Sequence, residues 1–562
     1  MSTGSTKSRA RKAAGSADVR NATPEPEDSS TMQTGEPEIS PRVWWIASLC
    51  ILAVAALLRL YELGLKPLHH DEGVNGFFLT NLYRDGVYHY NPENYHGPTL
   101  YYFALAVTKL NGFLFGDAAG LSTVAVRLVP AFFGIATVWL ALQLRRRIGA
   151  IGALTAAALI ALSPGNVYVS RYFIHEAHFV FFTLGIVVAA LRYWETADPV
   201  YLMLASISAA LLFATKETAI ISVVVLGLAW AVSAIYMRLV KRGGSVPWEK
   251  KGAQGRKRKN RRQPLVQRAA ALERFGGPRQ VALMAALALS VFIFVNILFY
   301  SSFFTYWEGV DGAIQSLKIW AGTGTKDHGH PWHTYLWWLL QEEAPLLILG
   351  TGGAILALVL RRNRFAIFAG AWAFGILAAY SLIPYKTPWL MLSFIVPLAI
   401  VGGYCVDELY RWARSSGASL LALALAVAAC AVCAVQAVRL SFYRYDDDKY
   451  PYVYAHTYRE FLPLIDEIDE LAKRAGTGKE TGVTITAGEY WPMPWYMRNY
   501  PKAGFWGKMV ETQEPIVVGS LEQEQELVSM LGDRYVRVNA YPLRPGVTLL
   551  LYARRDLVEG GR

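Results

Sequence analysis

Long apolar stretches recur through this chain, and that repetition limits its fold more than any other feature. A helix needs about 20 mainly apolar residues to cross the hydrocarbon core of a bilayer. Eleven stretches come near that length: 43–60, 125–144, 150–168, 177–195, 199–215, 218–238, 280–300, 344–361, 365–384, 388–408 and 418–438. Only 17% of the 562 residues are charged, against about 25% in soluble domains. A soluble chain of this size would lack the polar surface to cover its cores. The sequence therefore predicts a polytopic α-helical membrane protein of about eleven spans, and it excludes a cytosolic enzyme.

Lys and Arg in the connections set the expected orientation. Arg145, Arg146 and Arg147 follow the second run, Lys241 and Arg242 the sixth, Arg361, Arg362 and Arg364 the eighth, and Arg411 and Arg414 the tenth. Those ends, and the N-terminus, are expected in the cytoplasm, and an odd number of spans leaves the C-terminus outside a plasma membrane. Residues 1–42 are rich in Ser, Thr, Pro, Gly and charge and read as a disordered cytoplasmic tail. No apolar leader lies near the start, so the first run is expected to remain as an anchor. Residues 61–124 then form the first external loop with surface helices, 98–115 among them.

The net charge of +12 raises the question of a nucleic-acid partner. Residues 241–279 hold thirteen Lys or Arg against two acidic residues, almost the whole excess. Flanked by spans, this segment reads as a cytoplasmic loop for lipid headgroups and orientation, with no nucleic acid as partner. The four cysteines, Cys50, Cys405, Cys430 and Cys433, lie inside apolar runs and read as buried filler. From 440 to 562 the pattern changes. A charged helix (457–474), a second helix (521–531) and short β-type runs (483–487, 515–518, 534–540, 547–553) predict a small extracytoplasmic α/β domain.

The ionisable residues sort to the outer turns of this topology. Asp71 and Glu72 follow the first run. Arg171, His175 and Glu176 join the third and fourth, Lys216 and Glu217 the fifth and sixth, and Tyr385 and Lys386 the ninth and tenth. His328, His330 and His333 lie between the seventh and eighth. Each has a plainer reading: acidic residues at a helix start, a Lys216–Glu217 ion pair, interfacial anchoring by Tyr385 and Lys386. The three histidines suit a divalent metal such as zinc, but without a clear fourth ligand. Their convergence on one face argues for a site at the outer leaflet. There a carboxylate takes the proton of an acceptor hydroxyl that attacks a sugar carbon, and Lys or Arg stabilises a leaving lipid phosphate.

HHDEG (69–73) after the first run resembles the first-loop acidic motif of the GT-C membrane glycosyltransferases, among them the protein O-mannosyltransferases and the aminoarabinose-lipid A transferases. RLVPAFFG (127–134), SRYFIHEAHFVFF (170–182), LLFATKET (211–218) and YSLIPYKTPWL (380–390) extend the resemblance. With NYHGPTLYYF (94–103) and EYWPMPWYMRNYP (489–501), it is closest to the flippase-activity-associated branch of archaeal-type protein glycosylation. The resemblance covers about 43–562, with 43–439 as the membrane domain. It implies an inverting transferase that uses a sugar on a polyprenyl phosphate, mannose or another hexose or pentose, and a glycan, lipid or protein acceptor. Asp71 takes the place of the base with Glu72 beside it, and Glu176 matches the acidic position of the second loop, where it and His175 would meet substrate or a metal. Arg171, Lys216 and Lys386 would meet the phosphate, with Tyr385 hydrogen-bonding it. No cofactor is required by this reading. The alternative is a lipid-linked-sugar flippase or its accessory. Mid-span residues are mainly Ala, Leu, Val and Ile, which favours the enzyme. The aromatic run from Tyr490 to Trp506 has two readings, a sugar-stacking platform or a loop packed on the membrane helices.

Overall fold

The computed structural model describes residues 39–94, 96–243, 273–323, 329–361, 363–415 and 417–559. Residues 1–38 of the expected tail at 1–42, most of the basic loop at 241–279, and His328 lie outside them; Pro41 and Arg42 already belong to the first helix. Eight helices are long and apolar enough to cross a membrane: Pro41–Leu60, Thr123–Leu142, Glu176–Thr196, Ala219–Val240, Gly277–Tyr300, Arg364–Leu382, Pro388–Arg414 and Ser419–Tyr443. A ninth span results if Thr334–Glu342 and Ala344–Leu360, bent by 111°, are taken as one.

The expectation of about eleven spans is thus corrected to eight or nine among the described residues. Ala150–Leu162 has 13 residues and Pro199–Phe213 has 15, so at 1.5 Å per residue they reach roughly 20 Å and 22 Å. The apolar run at 150–168 is cut at Ser163, where a second short helix, Pro164–Val169, begins on Pro164. Proline has no N–H to continue the first helix and its ring fixes φ for the start of the next.

The bundle closes around Pro388–Arg414, which is 89% buried over its apolar window. Small residues allow its close neighbours. A Cβ on Gly403 would lie 2.2 Å from the Gly152 carbonyl oxygen, and one on Gly353 would lie 2.0 Å from that of Val401. Lipid tails are as apolar as leucine, so such packing, rather than apolar burial, holds membrane helices together. Thr99–Phe115 is a helix that falls short of the spanning set and leaves Leu110, Phe113, Leu114 and Phe115 exposed at its far end. All four cysteines are free.

The C-terminal domain carries one five-stranded sheet. Its strands are β1 (Val483–Ile485), β2 (Ala503–Phe505), β3 (Ile516–Ser520), β4 (Tyr535–Arg544) and β5 (Val547–Arg554), in the order β2-β1-β3-β5-β4. β1 is parallel to β2 and β3, while β5 is antiparallel to β3 and β4. Alternate residues of β3 face opposite cores. Ile516 and Val518 meet Leu464, Ile468 and Leu471 of helix Leu462–Arg474, and Val517 meets Leu527 and Leu531 of helix Glu524–Leu531. The sequence pattern finds four strands and both helices, and misses β2. Three residues with Gly504 at their centre carry no alternation to read.

Candidate active site

Helix His70–Asp85 positions the acidic pair. The His69 side chain caps it by accepting from the Asp71 N–H at 3.1 Å, and the Glu72 carboxylate accepts from the His69 N–H at 2.9 Å. Glu72 is fully buried. Arg127 holds its two oxygens with two bonds of 2.7 Å each, and the Phe173 N–H donates a fourth bond at 2.7 Å. Burial opposes its charge, but Arg127 and these hydrogen bonds hold the carboxyl below the usual range. Arg127 also donates to the carbonyls of Leu63, Lys66 and Pro67. The pair therefore clamps the loop after the first span onto helix Thr123–Leu142.

Asp71, next in the turn, is only half-buried. Its carboxylate is within electrostatic reach of His70, Tyr101, Tyr454 and Arg544. Arg544 ends β4, donates to the Trp491 carbonyl oxygen, and lies 2.8 Å from His70 Nδ1 and 3.5 Å from Glu489. Its Nε is buried without a hydrogen-bond partner. The C-terminal domain thus brings a cation to the acidic turn. Two glycines allow the approach: a Cβ on Gly73 would meet Pro492 at 2.5 Å, and one on Gly76 would meet Trp495 at 2.6 Å. Trp495 is buried in the membrane-domain core and Tyr500 in the sheet-domain core, while Trp506 is 57% exposed. Packing therefore accounts for Trp495 and Tyr500, and Trp506 remains open to solvent.

A second cluster forms where the other turns meet. Lys216 pairs with Glu176 at 2.7 Å, and Glu217 lies 3.1 Å from His96 Nδ1. Lys216 and Glu217 are neighbours that take separate partners, not each other. Gly97 lies so close to this turn that a Cβ would be 2.0 Å from the Ala214 carbonyl oxygen. His175 lies among His96, Tyr101 and His178, with ring centroids 5.0 to 5.7 Å away and the rings tilted or edge-on to it. Burial, then His96, His178 and Lys216, push its imidazole well below the usual range, so it is neutral. Tyr101 links the two clusters. It donates to Asn75 Oδ1 at 2.9 Å, and Asn75 Nδ2 donates to the Phe173 carbonyl.

The remaining candidates make other contacts, and Trp389, just after the Tyr385–Lys386 turn, has its ring 5.6 Å from that of His69. Arg171 donates to the carbonyls of Leu58, Arg59, Tyr61 and Glu62, closing the C-terminal end of helix Pro41–Leu60. Lys386 is buried and donates to Ile383 and His330 carbonyls at 2.5 and 3.3 Å. Tyr385 pairs by backbone with Gly329, which brings the histidine segment against the 384–386 turn. No group of three or more His, Cys, Asp or Glu is placed to hold a metal ion among the described residues. Sequence reasoning missed Arg127, Arg544, His96 and Lys66. Lys66 Nζ is buried with no hydrogen-bond partner, 3.7 and 3.6 Å from the ring centroids of Tyr168 and Tyr172. Only RLVPAFFG and NYHGPTLYYF pointed toward two of them.

Comparison with known proteins places this geometry in a fold. A family model described as dolichyl-phosphate-mannose-protein mannosyltransferase matches residues 95–247. No curated protein matches. The apo structure of ArnT from Cupriavidus metallidurans is similar over 91% of this chain and 98% of its own, with TM-score 0.62 and 14% identity. ArnT from the same organism bound to undecaprenyl phosphate gives TM-score 0.56 at 15% identity, with the same coverage. An Archaeoglobus fulgidus oligosaccharyltransferase tethered to an acceptor peptide gives 0.50 at 15%, over 92% of this chain and 76% of its own. The chain has the GT-C-like fold: a polytopic helical membrane domain with a small C-terminal sheet domain.

Proposed function

We propose that the chain is a membrane glycosyltransferase that moves a sugar from a polyprenyl-phosphate donor to an acceptor at the outer face of the plasma membrane. The observation that carries this reading is Asp71. It is the half-buried carboxylate of a turn otherwise locked by Glu72 and Arg127, and it follows His70, which Arg544 of the second domain meets at 2.8 Å. The fold shared with ArnT, and the undecaprenyl phosphate bound to that protein, support the substrate class.

In this reading Asp71 accepts the proton of the acceptor hydroxyl as its oxygen bonds to the anomeric carbon. The bond from that carbon to the phosphate oxygen breaks from the opposite side, and configuration inverts. The lipid phosphate leaves with the electron pair, and Arg544, Lys216 and Lys386 stabilise its charge, with Tyr385 as hydrogen-bond donor. Glu72 acts through Arg127 as a positioning residue, and His175 and Glu176 set Lys216. Arg171 is assigned to closing the first helix. We expect Asp71→Asn to reduce transfer from labelled polyprenyl-phosphate sugar by about 10²- to 10⁴-fold, the range for a lost general base. Expression and melting temperature should be unchanged. Full activity in Asp71→Asn would remove the base assignment.

A further inference from the structure

The arginines that orient the chain also surround a cavity. Glu176, at the first turn of helix Glu176–Thr196, meets Lys216 in the candidate site. Eighteen residues on, roughly 27 Å along the axis, Trp194 of the same helix lines a cavity of about 1610 Å³. That distance is close to the ~30 Å of a hydrocarbon core. Helix Arg364–Leu382 agrees, because Arg364 lines the cavity and its other end leads to Tyr385 and Lys386. Cavity and candidate site therefore lie at opposite ends of the bundle.

The cavity walls are apolar, with Ile186, Leu226, Met237, Leu356 and Phe368 supplied by four helices. Trp194, Trp230 and Trp412 line it and are 50%, 61% and 76% exposed, as rings at a membrane interface are. Arg146, Arg147, Arg361, Arg364 and Arg411 reach the same space, together with Glu408. Glu195 pairs with Arg146, Arg147 and Arg192, and Asp407 with Arg411. Six arginines thus gather around three carboxylates, an excess of positive charge beside an apolar chamber. A soluble anion would answer the charge and leave the walls bare. An uncharged hydrocarbon chain would do the reverse.

We propose that this cavity binds a glycerophospholipid with an anionic headgroup, its phosphate among the arginines and its acyl chains along the apolar walls. Glu408 at the same place suits a headgroup that also carries hydroxyls, such as a glycerol. The site is separate from the donor site and does not depend on the transfer reading.

Mass spectrometry of lipids that copurify with the full chain in mild detergent tests this. Two variants probe different features. Arg361→Asn with Arg364→Gln removes two charges, and asparagine tolerates the left-handed backbone at 361, where φ is 58°. Gly227→Phe fills the chamber from the wall. A Cβ there meets nothing within 4 Å, so the ring enters open space. We expect anionic over zwitterionic phospholipid to be enriched about tenfold relative to the membrane, and the enrichment to fall at least fivefold in both variants. Each variant should remain monodisperse. Asp71→Asn should keep the bound lipid, which separates this proposal from the proposed reaction. No enrichment in the wild type, equal retention in both variants, or a polyprenyl phosphate as the retained lipid would each overturn the proposal.

Discussion

Glu72 and Asp71 are neighbours with opposite circumstances. Glu72 has four hydrogen bonds and no exposure, so its removal strands the Arg127 charge in the core. We expect Glu72→Gln to destabilise the fold by about 3–5 kcal/mol, the cost of breaking a buried pair. Glu72→Leu with Arg127→Met should recover part of that loss in thermal unfolding. The pH dependence follows from the same groups. The Glu72 and Glu217 carboxyls are held below their usual 4.5, so the stability they add is complete above that value and is lost as pH falls through their folded values. His175 is held below 6.5 by burial. The unfolded chain takes up that proton first, so stability already declines as pH falls below 6.5. Melting temperature should therefore drop on acidification in two stages, near pH 6.5 and below 4.5; burial also holds the His70 and His456 imidazoles down, so a His175→Gln variant should weaken the first stage without removing it. The acidic turn was legible in the sequence as HHDEG, and so was the expectation that its two carboxylates differ in role, one a base and the other orienting a histidine or a cation; the partner of Glu72 was not. Arg127 lies 55 residues away and Arg544 lies 474 residues from His70, and no local pattern encodes such pairs.

At the scale of elements, hydropathy finds a helix well and measures it badly. All eleven apolar runs contain helix, but Ala150–Leu162 and Pro199–Phe213 stop short, the first because Ser163 and Pro164 restart the backbone. The contact between the acidic helix and the 491–496 segment was only partly legible in the sequence, where the interspersed prolines favour a packed loop over a sugar-stacking platform. The glycines decide it in the structure. We expect Gly73→Ala to force Pro492 away and expose the 489–501 segment to limited proteolysis, because its Cβ would come within 2.7 Å of the Pro492 Cα. Gly227→Ala is the matched control. It has open space around its Cβ, and exchanging glycine for alanine inside a helix should stabilise by about 1 kcal/mol. Equal protease sensitivity of Gly73→Ala and wild type would show that the domain contact does not rest on this approach.

For the whole molecule, sidedness decides which cluster does chemistry. Short helices could have undone the sequence argument, since a helix that fails to cross inverts everything after it. Ion pairs at the two ends of Glu176–Thr196 resolve this. Arg147, just after helix Thr123–Leu142, meets Glu195 at 2.8 Å, so those two helices end on the same side. Ala150–Leu162 and Pro164–Val169 must therefore carry the chain back between them, although neither is long enough to stand among the eight or nine spans. Lys216, just after Pro199–Phe213, meets Glu176 at the other end, so this short helix also runs from one end of the bundle to the other. The carboxylate cluster and the arginine cavity stay on opposite sides whatever the exact lengths. A direct test uses single cysteines in a Cys50→Ala background, because Cys405 and Cys433 are buried and Cys430 partly so. Lys502→Cys on the sheet domain and Arg146→Cys at the cavity replace side chains that are 61% and 64% exposed. With an impermeant maleimide on intact cells, we expect Lys502→Cys to label at once and Arg146→Cys only after permeabilisation. The reverse pattern would put Asp71 and Arg544 on the cytoplasmic face, where the proposed outer-face transfer could not occur.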